Sequence, residues 1–339
     1  MDISFIIPVF NGQKTITRCL DSIYNVGFSK DSFEVLVIDD CSTDMTTTIV
    51  DDYASNHNNL VLIRQTKNHR QGAARNRGIS QARGLYIMLV DADDTVEAGL
   101  SKALDYAKNT LVDMLWCQWR KQKVNGEFEL VTSSFEYSRI VSGFDFCEHY
   151  YDMMVYGSPC TYLIKKSYIH SLGIKFVEDR RMEDVDWTEK YLFYSNSFSC
   201  SQSIVYSYYY NEESTMHSFN AERDADALMY SIRRMQFADV IINSCAKQFS
   251  SKIIEYSSNW ICRILSFRHL TRHNAKSIYT LFKCLDSGSL SYLSNHKCFH
   301  RWPSFTRLCI KYPILICSII VLVHPCAKIA RYIYRSFFI

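Results

Sequence analysis

Residues 85–94 read Leu-Tyr-Ile-Met-Leu-Val-Asp-Ala-Asp-Asp, six apolar residues running directly into the carboxylates of Asp91, Asp93 and Asp94. An apolar run of this kind suits a strand buried on both faces, as in parallel sheets covered by helices. Its carboxylates then fall at the strand's C-terminal end, where open α/β sheets bind ligands. Asp91 and Asp93 can converge on one hard cation, and Mg²⁺ or Mn²⁺ carrying a diphosphate fits an all-oxygen pair best. The competing reading is a solvated turn that caps the next helix. Two further acidic pairs stand out. Asp39-Asp40 ends the apolar run 33–38, and Glu183-Asp184 precedes a helical stretch holding Trp187, Tyr191 and Tyr194.

The elements that must position these groups alternate. Residues 3–8 form a first strand, and Asn11-Gly12 leads into a helix with Ile16, Leu20 and Ile23 at helical spacing. Residues 33–38 are a second strand, followed by Ser42, Thr43 and Asp44, any of which can cap the next helix. A short strand over 60–63, a helix over 71–83 and the strand 85–90 complete a rhythm that means a parallel, doubly wound sheet. Beyond Asp94 the spacing predicts a helix over 97–108 and strands over 112–119 and 127–132 flanking the hairpin signal Asn125-Gly126. Helices follow near 143–154 and 183–195, with a late strand over 204–210. From about 219 onward the chain reads as helical, aromatic-rich and basic.

Four stretches together resemble family 2 glycosyltransferases, over roughly residues 1–217. They are the opening Ile-Ile-Pro-Val-Phe-Asn, residues 38–44 (Ile-Asp-Asp-Cys-Ser-Thr-Asp), residues 72–78 (Gly-Ala-Ala-Arg-Asn-Arg-Gly), and Asp91-Ala92-Asp93. The resemblance implies a GT-A fold, a doubly wound, mostly parallel α/β sheet with a nucleotide-sugar-binding half over 1–95 and an acceptor half over 96–218. It also implies transfer of a sugar from a nucleotide diphosphate donor, a UDP-sugar by preference. It assigns donor binding to Pro8, Asp39, Asp40, Arg75 and Asp91. Asp40 is favoured for accepting the imide N–H of uracil, and Arg75 for pairing with diphosphate or base. Asp91 is expected to hold the ribose or a metal-bound water, Asp93 to bind Mn²⁺ or Mg²⁺ directly, and His217 to supply a further ligand. Helix capping and surface exposure are the competing readings for the acidic pair and Arg75. One departure is Cys41, where the family usually has glycine, so this turn needs either a negative φ or tolerated strain.

Residues 182–187 look like the family's Glu-Asp motif at the head of the acceptor-side helix. Inverting transfer needs a base on that side, and Asp184 is the expected base with Glu183 orienting acceptor or loop; a shared helix-capping role is the alternative. Processive members carry Gln-x-x-Arg-Trp, whereas Arg301-Trp302 here has Cys298 in the glutamine position. That points to addition of a single sugar to a glycan or lipid-linked glycan acceptor in surface polysaccharide assembly.

Composition bounds the setting. The chain has 339 residues, enough for one large domain with an extension or for two domains. Its 13 cysteines lack zinc-site pairing, and the first residues lack the basic region of an export signal, so reduced thiols in the cytoplasm are expected. Residues 251–339 hold 13 Lys and Arg against 2 Asp and Glu, so the +3 net charge conceals a basic C-terminal extension over 219–339. Within it, the apolar run 313–323 would be about 16 Å long as a helix, too short to span a bilayer. Lys328, Arg331 and Arg335 then share one helical face, with Ile329, Ile333 and Phe337 on another. A basic amphipathic helix of this kind suits an anionic membrane surface rather than nucleic acid, and places the protein peripherally at the inner face of the cell membrane. A helix packed on protein is the alternative.

Two other function classes compete. A phosphoacceptor receiver also places acidic groups after its strands, but it is about 120 residues long and needs a lysine after the next strand. A non-catalytic membrane adaptor could retain the fold without the chemistry.

Overall fold

The computed structural model describes residues 1–150, 158–211, 221–242, 246–266 and 287–313. His217 and residues 314–339, which carry the expected metal ligand and the amphipathic tail, lie outside the described residues. The chain divides into two compact units, Met1–Glu212 and Glu213–Ile339.

The first unit opens with β1 (Ile3–Val9), α1 (Ile16–Tyr24), β2 (Phe33–Asp39), α2 (Thr46–Ala54), β3 (Leu60–Arg64), α3 (Arg70–Gln81) and β4 (Tyr86–Leu89). β1, β2 and β4 are buried along their full lengths, as the uninterrupted apolar runs require. In α1, Ile16, Cys19, Leu20 and Ile23 make the buried face. The four strands lie in the order β3-β2-β1-β4, all parallel, so the ends of β2 and β4 flank the end of the central β1. Pro8 sits within β1, opposite Ile38 of β2. Its missing N–H is tolerated there because β1 pairs with β4 only as far as Ile6.

The second half of this unit is β5 (Thr95–Val96), α4 (Leu100–Thr110), β6 (Met114–Gln122), β7 (Phe128–Val131), α5 (Gly143–Tyr150), β8 (Tyr162–Lys165), α6 (Lys166–Leu172), α7 (Asp184–Tyr194) and β9 (Phe198–Tyr208). The sheet continues β4-β8-β6-β9-β5, with β7 beside β6. Only β6 and β9 are parallel here; β4-β8, β6-β8, β6-β7 and β5-β9 are antiparallel. The sheet is thus parallel in its first half and mixed in its second. β8 inserts against β4 and, with the two-residue β5, is a strand that periodicity alone does not reveal.

The second unit is helical among the described residues: α8 (Ala221–Ile242), α9 (Lys247–Ile264), α10 (Ser287–Asn295) and α11 (Ser304–Lys311). Phe249, Ile253, Ile261, Trp302 and Phe305 are buried in it. Trp302, of the Arg-Trp pair, is therefore a core residue of this unit. Among the described residues no helix is long and apolar enough to cross a membrane.

Candidate functional site

The loops that follow β1 and β2 are woven together before any ligand is considered. The Asn11 amide donates to Ser42 Oγ at 2.9 Å, the Thr43 amide to Asn11 Oδ1 at 2.8 Å, and the Gly12 amide to Thr46 Oγ1 at 2.8 Å. Asp44, one of the expected caps, accepts the Thr46 amide at 3.0 Å. Cys41 adopts φ +67°, so the turn keeps the left-handed geometry that glycine would supply and bears the strain of a side chain. Asn11, Arg70, Asp179 and Met182 are also left-handed. Cys41, Asn11, Asp179 and Met182 lie in loops around the site and Arg70 at the first position of α3, the usual places for stored backbone strain.

Asp39 and Asp40 are both 3% exposed. The Asp39 carboxylate accepts the Ser42 amide at 3.2–3.3 Å. Asp40 Oδ1 accepts from Gln65 Nε2 and from the His69 amide, both at 2.8 Å. Burial pushes the Asp40 carboxyl above its ordinary value, while the amide donors pull it back.

At the end of β4 the three carboxylates take different surroundings. Asp91 is half-buried, and its amide donates to the Tyr206 hydroxyl at 3.1 Å. Asp93 is also half-buried; Asn211 Nδ2 lies 3.4 Å from its Oδ2, and Arg18 donates to its backbone carbonyl while stacking on Tyr209. Asp94 is 1% exposed and accepts from the Tyr206 hydroxyl at 2.7 Å and the Tyr209 amide at 2.8 Å. Burial and the charge of Asp91 push the Asp93 carboxyl up. Burial, then Asp91 and Asp93, push Asp94 to about 8. The turn is therefore a crowded anionic site of hard oxygens, and Asp91 and Asp93 at its open edge fit a divalent cation that would relieve their repulsion. Among the described residues no set of three His, Cys, Asp or Glu side chains is grouped for an ion; the further ligand expected from His217 falls outside them.

Arg75 lies on α3 and is 2% exposed. It enters the sheet-facing side because the helix is built from small residues there: a Cβ on Gly78 would lie 2.3 Å from Ile6 Cγ2, and one on Gly72 would lie 2.3 Å from the Val177 carbonyl. The Gly-Ala-Ala character of this motif is thus a packing requirement. Arg75 Nη2 donates to Asp91 Oδ1 at 2.8 Å, and Nη1 donates to Glu183 Oε1. Sequence reasoning expected this guanidinium to face diphosphate or base; its two ends are held by carboxylates, one after β4 and one before α7. Its Nε is buried without a partner among the described residues.

Glu183 is 4% exposed and stands immediately before α7. Burial pushes its carboxyl up against the opposing pull of Arg75. Asp184 is half-buried in the first turn of α7. Behind it the helix is anchored by aromatic packing: Phe176 stacks on Trp187 with ring centroids 4.3 Å apart, and Trp187 meets Tyr191 at 4.2 Å. The structure brings Arg75, Asp91 and Glu183 into contact and sets Asp93 and Asp184 beside them in sequence. Sequence reasoning gave no role to Tyr206, Asp94 or Arg18. Asp94 had a signal, as the third carboxylate of its run; Tyr206 and Arg18 had none.

Residues 4–171 match the sequence profile described as "Glycosyl transferase family 2". This region, residues 4–171, belongs to glycosyl transferase family 2. A stretch of 97 residues is 41% identical to a poly(ribitol-phosphate) beta-glucosyltransferase of Bacillus spizizenii, covering 28% of this chain and 15% of that protein. The match thus spans only a small part of that relative's own length. Among solved structures it is similar to Staphylococcus aureus TarS 1–349 in complex with UDP-GlcNAc, at TM-score 0.64 and 22% identity, over 96% of this chain and 89% of that one. A mannosyltransferase from Pyrobaculum calidifontis, in complex with GDP-Man and Mn²⁺, aligns at TM-score 0.51 and 16% identity, over 94% and 86% of the two chains. The structural likenesses give the chain a GT-A fold, as its motifs imply.

Proposed function

We propose that this family 2 glycosyltransferase moves one sugar, with inversion, from a UDP-sugar to a glycan or lipid-linked glycan acceptor of a surface polysaccharide. The observation that carries the reading is the meeting of Asp91 and Glu183 on Arg75, which draws the donor-side carboxylates and the acceptor-side helix into one site. Asp39 and Asp40, beside Pro8 at the parallel end of the sheet, receive the base, with Asp40 accepting the uracil imide. Asp91 and Asp93 would hold Mn²⁺ or Mg²⁺, which would supply Lewis-acid stabilisation of the departing nucleoside diphosphate.

In this reading Asp184 is the base. The acceptor hydroxyl attacks the anomeric carbon, the bond to the diphosphate oxygen breaks, and the hydroxyl proton passes to the Asp184 carboxylate. Glu183 cannot serve as readily, because its carboxylate is buried on Arg75. It positions Asp184 by fixing the start of α7. Arg75 orients both halves through their carboxylates. The UDP-GlcNAc complex of the TarS neighbour and the polymer named for the Bacillus relative support the donor and acceptor classes. The basic charge of residues 251–339 supports cytoplasmic work at the inner membrane face.

Thermal stabilisation of the purified chain by a panel of nucleotides and nucleotide sugars, with and without Mn²⁺, tests the donor reading. UDP and one UDP-sugar should raise the melting temperature more with Mn²⁺ than without it. Equal stabilisation by every nucleotide, unaffected by EDTA, would overturn it.

A further inference from the structure

His69 stands between the two halves of the site. Its amide donates to Asp40 Oδ1 at 2.8 Å, its Nδ1 lies 2.9 Å from Asp179 Oδ1, and its carbonyl accepts the Asp179 amide at 3.0 Å. One residue thus touches the carboxylate proposed to read the base and, by two bonds, the segment that leads from α6 to Glu183.

That segment is also held at its start, where Trp187 Nε1 and the Tyr191 hydroxyl donate to the Ile174 carbonyl at 3.1 and 2.9 Å. Asn76 clamps it to α3, accepting the Phe176 amide at 2.9 Å and donating to the Phe176 carbonyl at 2.9 Å. A cavity of about 420 Å³ lies between the segment and α3, and His69, Asn76, Lys175 and Glu178 line it. The backbone there is strained: Arg70, next to His69, and Asp179 and Met182 all have φ near +60°. Strained residues persist where neighbouring contacts fix them, and a segment that borders a cavity depends on those contacts.

We infer that His69 and Asp179 are a positioning pair that transmits occupation of the base pocket at Asp40 to the segment carrying Glu183. The inference rests on the proposed donor site. A nucleotide base settling on Asp40 orders the His69 amide and, through it, the Asp179 turn. The pair contacts no reacting atom. Its effect is on how well the start of α7 is held when the donor is bound.

The test is amide hydrogen exchange of the full-length chain with and without UDP and Mn²⁺, on wild type, His69→Ala and His69→Asn. In wild type, UDP should slow exchange both at residues 40–45 and at residues 176–183. His69→Ala should keep the first protection and lose at least three-quarters of the second. His69→Asn, which returns a side-chain donor near the Nδ1 position, should restore it. In transfer assays His69→Ala should raise acceptor KM or lower kcat several-fold, with the UDP dissociation constant within about threefold of wild type. Protection of 176–183 that is absent in wild type or survives in His69→Ala would overturn the inference while leaving the donor site intact, as would loss of UDP binding in step with turnover. If UDP protects neither segment in wild type, the donor reading fails and this inference falls with it.

Discussion

Asp91 and Glu183 approach one another through a single guanidinium: Arg75 Nη2 reaches Asp91 Oδ1 at 2.8 Å and Arg75 Nη1 reaches Glu183 Oε1. Asp91 follows β4 and Glu183 immediately precedes α7, so the link ties the two halves of the first unit together at the site. Arg75 and Glu183 are both under 5% exposed, which makes the pair expensive to break from one side.

Arg75→Ala should therefore destabilise the chain by about 3–5 kcal/mol, the range for stranding a buried charge. Arg75→Lys should also lose stability, because one ammonium cannot reproduce the forked geometry. Urea unfolding of the three proteins measures this. A loss below about 1 kcal/mol for Arg75→Ala would mean that Glu183 finds another partner or takes up a proton at little cost.

The strained turn at Cys41 gives a prediction of opposite sign. Relief of a left-handed φ is worth about 1–2 kcal/mol, offset by about 0.4–1 kcal/mol for the greater freedom of glycine in the unfolded chain. Cys41→Gly should thus be about 0.5–1 kcal/mol more stable, and Cys41→Val less stable than wild type. Differential scanning calorimetry would show melting temperatures ordered Gly, Cys, Val.

Stability should also respond to pH through Asp94. Its folded value of about 8 lies above the unfolded carboxyl range, so between about pH 4 and 8 the folded state retains a proton that the unfolded state has lost. Stability from this group is full below pH 4 and falls as pH rises towards 8. Asp94→Asn should flatten that slope in metal-free protein. Mn²⁺ should oppose the fall as well, by neutralising Asp91 and Asp93. Melting temperatures across pH 5–8.5 in EDTA and in Mn²⁺ provide the measurement, and a wild-type profile that rises through this range would contradict the assignment.

Much of this arrangement is legible in the sequence, because it rests on local signals. The apolar runs into Asp39-Asp40 and Asp91-Ala92-Asp93 announce buried strands with acidic ends, and the helix spacing of Ile16, Leu20 and Ile23 gives the buried face of α1. What stays hidden depends on distant pairing. β8 is four residues long and gains its place only by lying antiparallel between β4 and β6. Arg75 reads as a surface or ligand-facing residue because its partner Glu183 lies 108 positions away. Asp94 looks like one more carboxylate of the cluster, yet Tyr206 of β9 draws it into the core.

The C-terminal segment needs a truncation chosen from the structure. Removing everything from residue 301 would also remove Trp302, Phe305, Cys309 and Ile310, which are buried in the helical unit. Ending the chain after Pro313 keeps α11 and removes the basic tail. This shorter chain should bind anionic vesicles more weakly than the full chain, and added salt should weaken the full chain's binding, since surface attraction is screened. Equal co-sedimentation of the two chains would favour a tail that packs on protein.

Metal dependence has its own variant. Asp93→Ala should abolish transfer and Mn²⁺-dependent UDP binding while the melting temperature stays near or above that of wild type, because the lost carboxylate is crowded by Asp91. Full activity of this variant, or of EDTA-treated wild type, would contradict the role.

In the proposed mechanism the acceptor's proton goes to Asp184 while Glu183 is held on Arg75. The most direct test is the turnover of Asp184→Asn beside its UDP dissociation constant, measured on the same preparation. A general base contributes about 10²–10⁴ in rate, so turnover should fall by that factor with UDP affinity within about twofold of wild type. Transfer at close to the wild-type rate, or a loss of UDP binding that accounts for the fall, would contradict it.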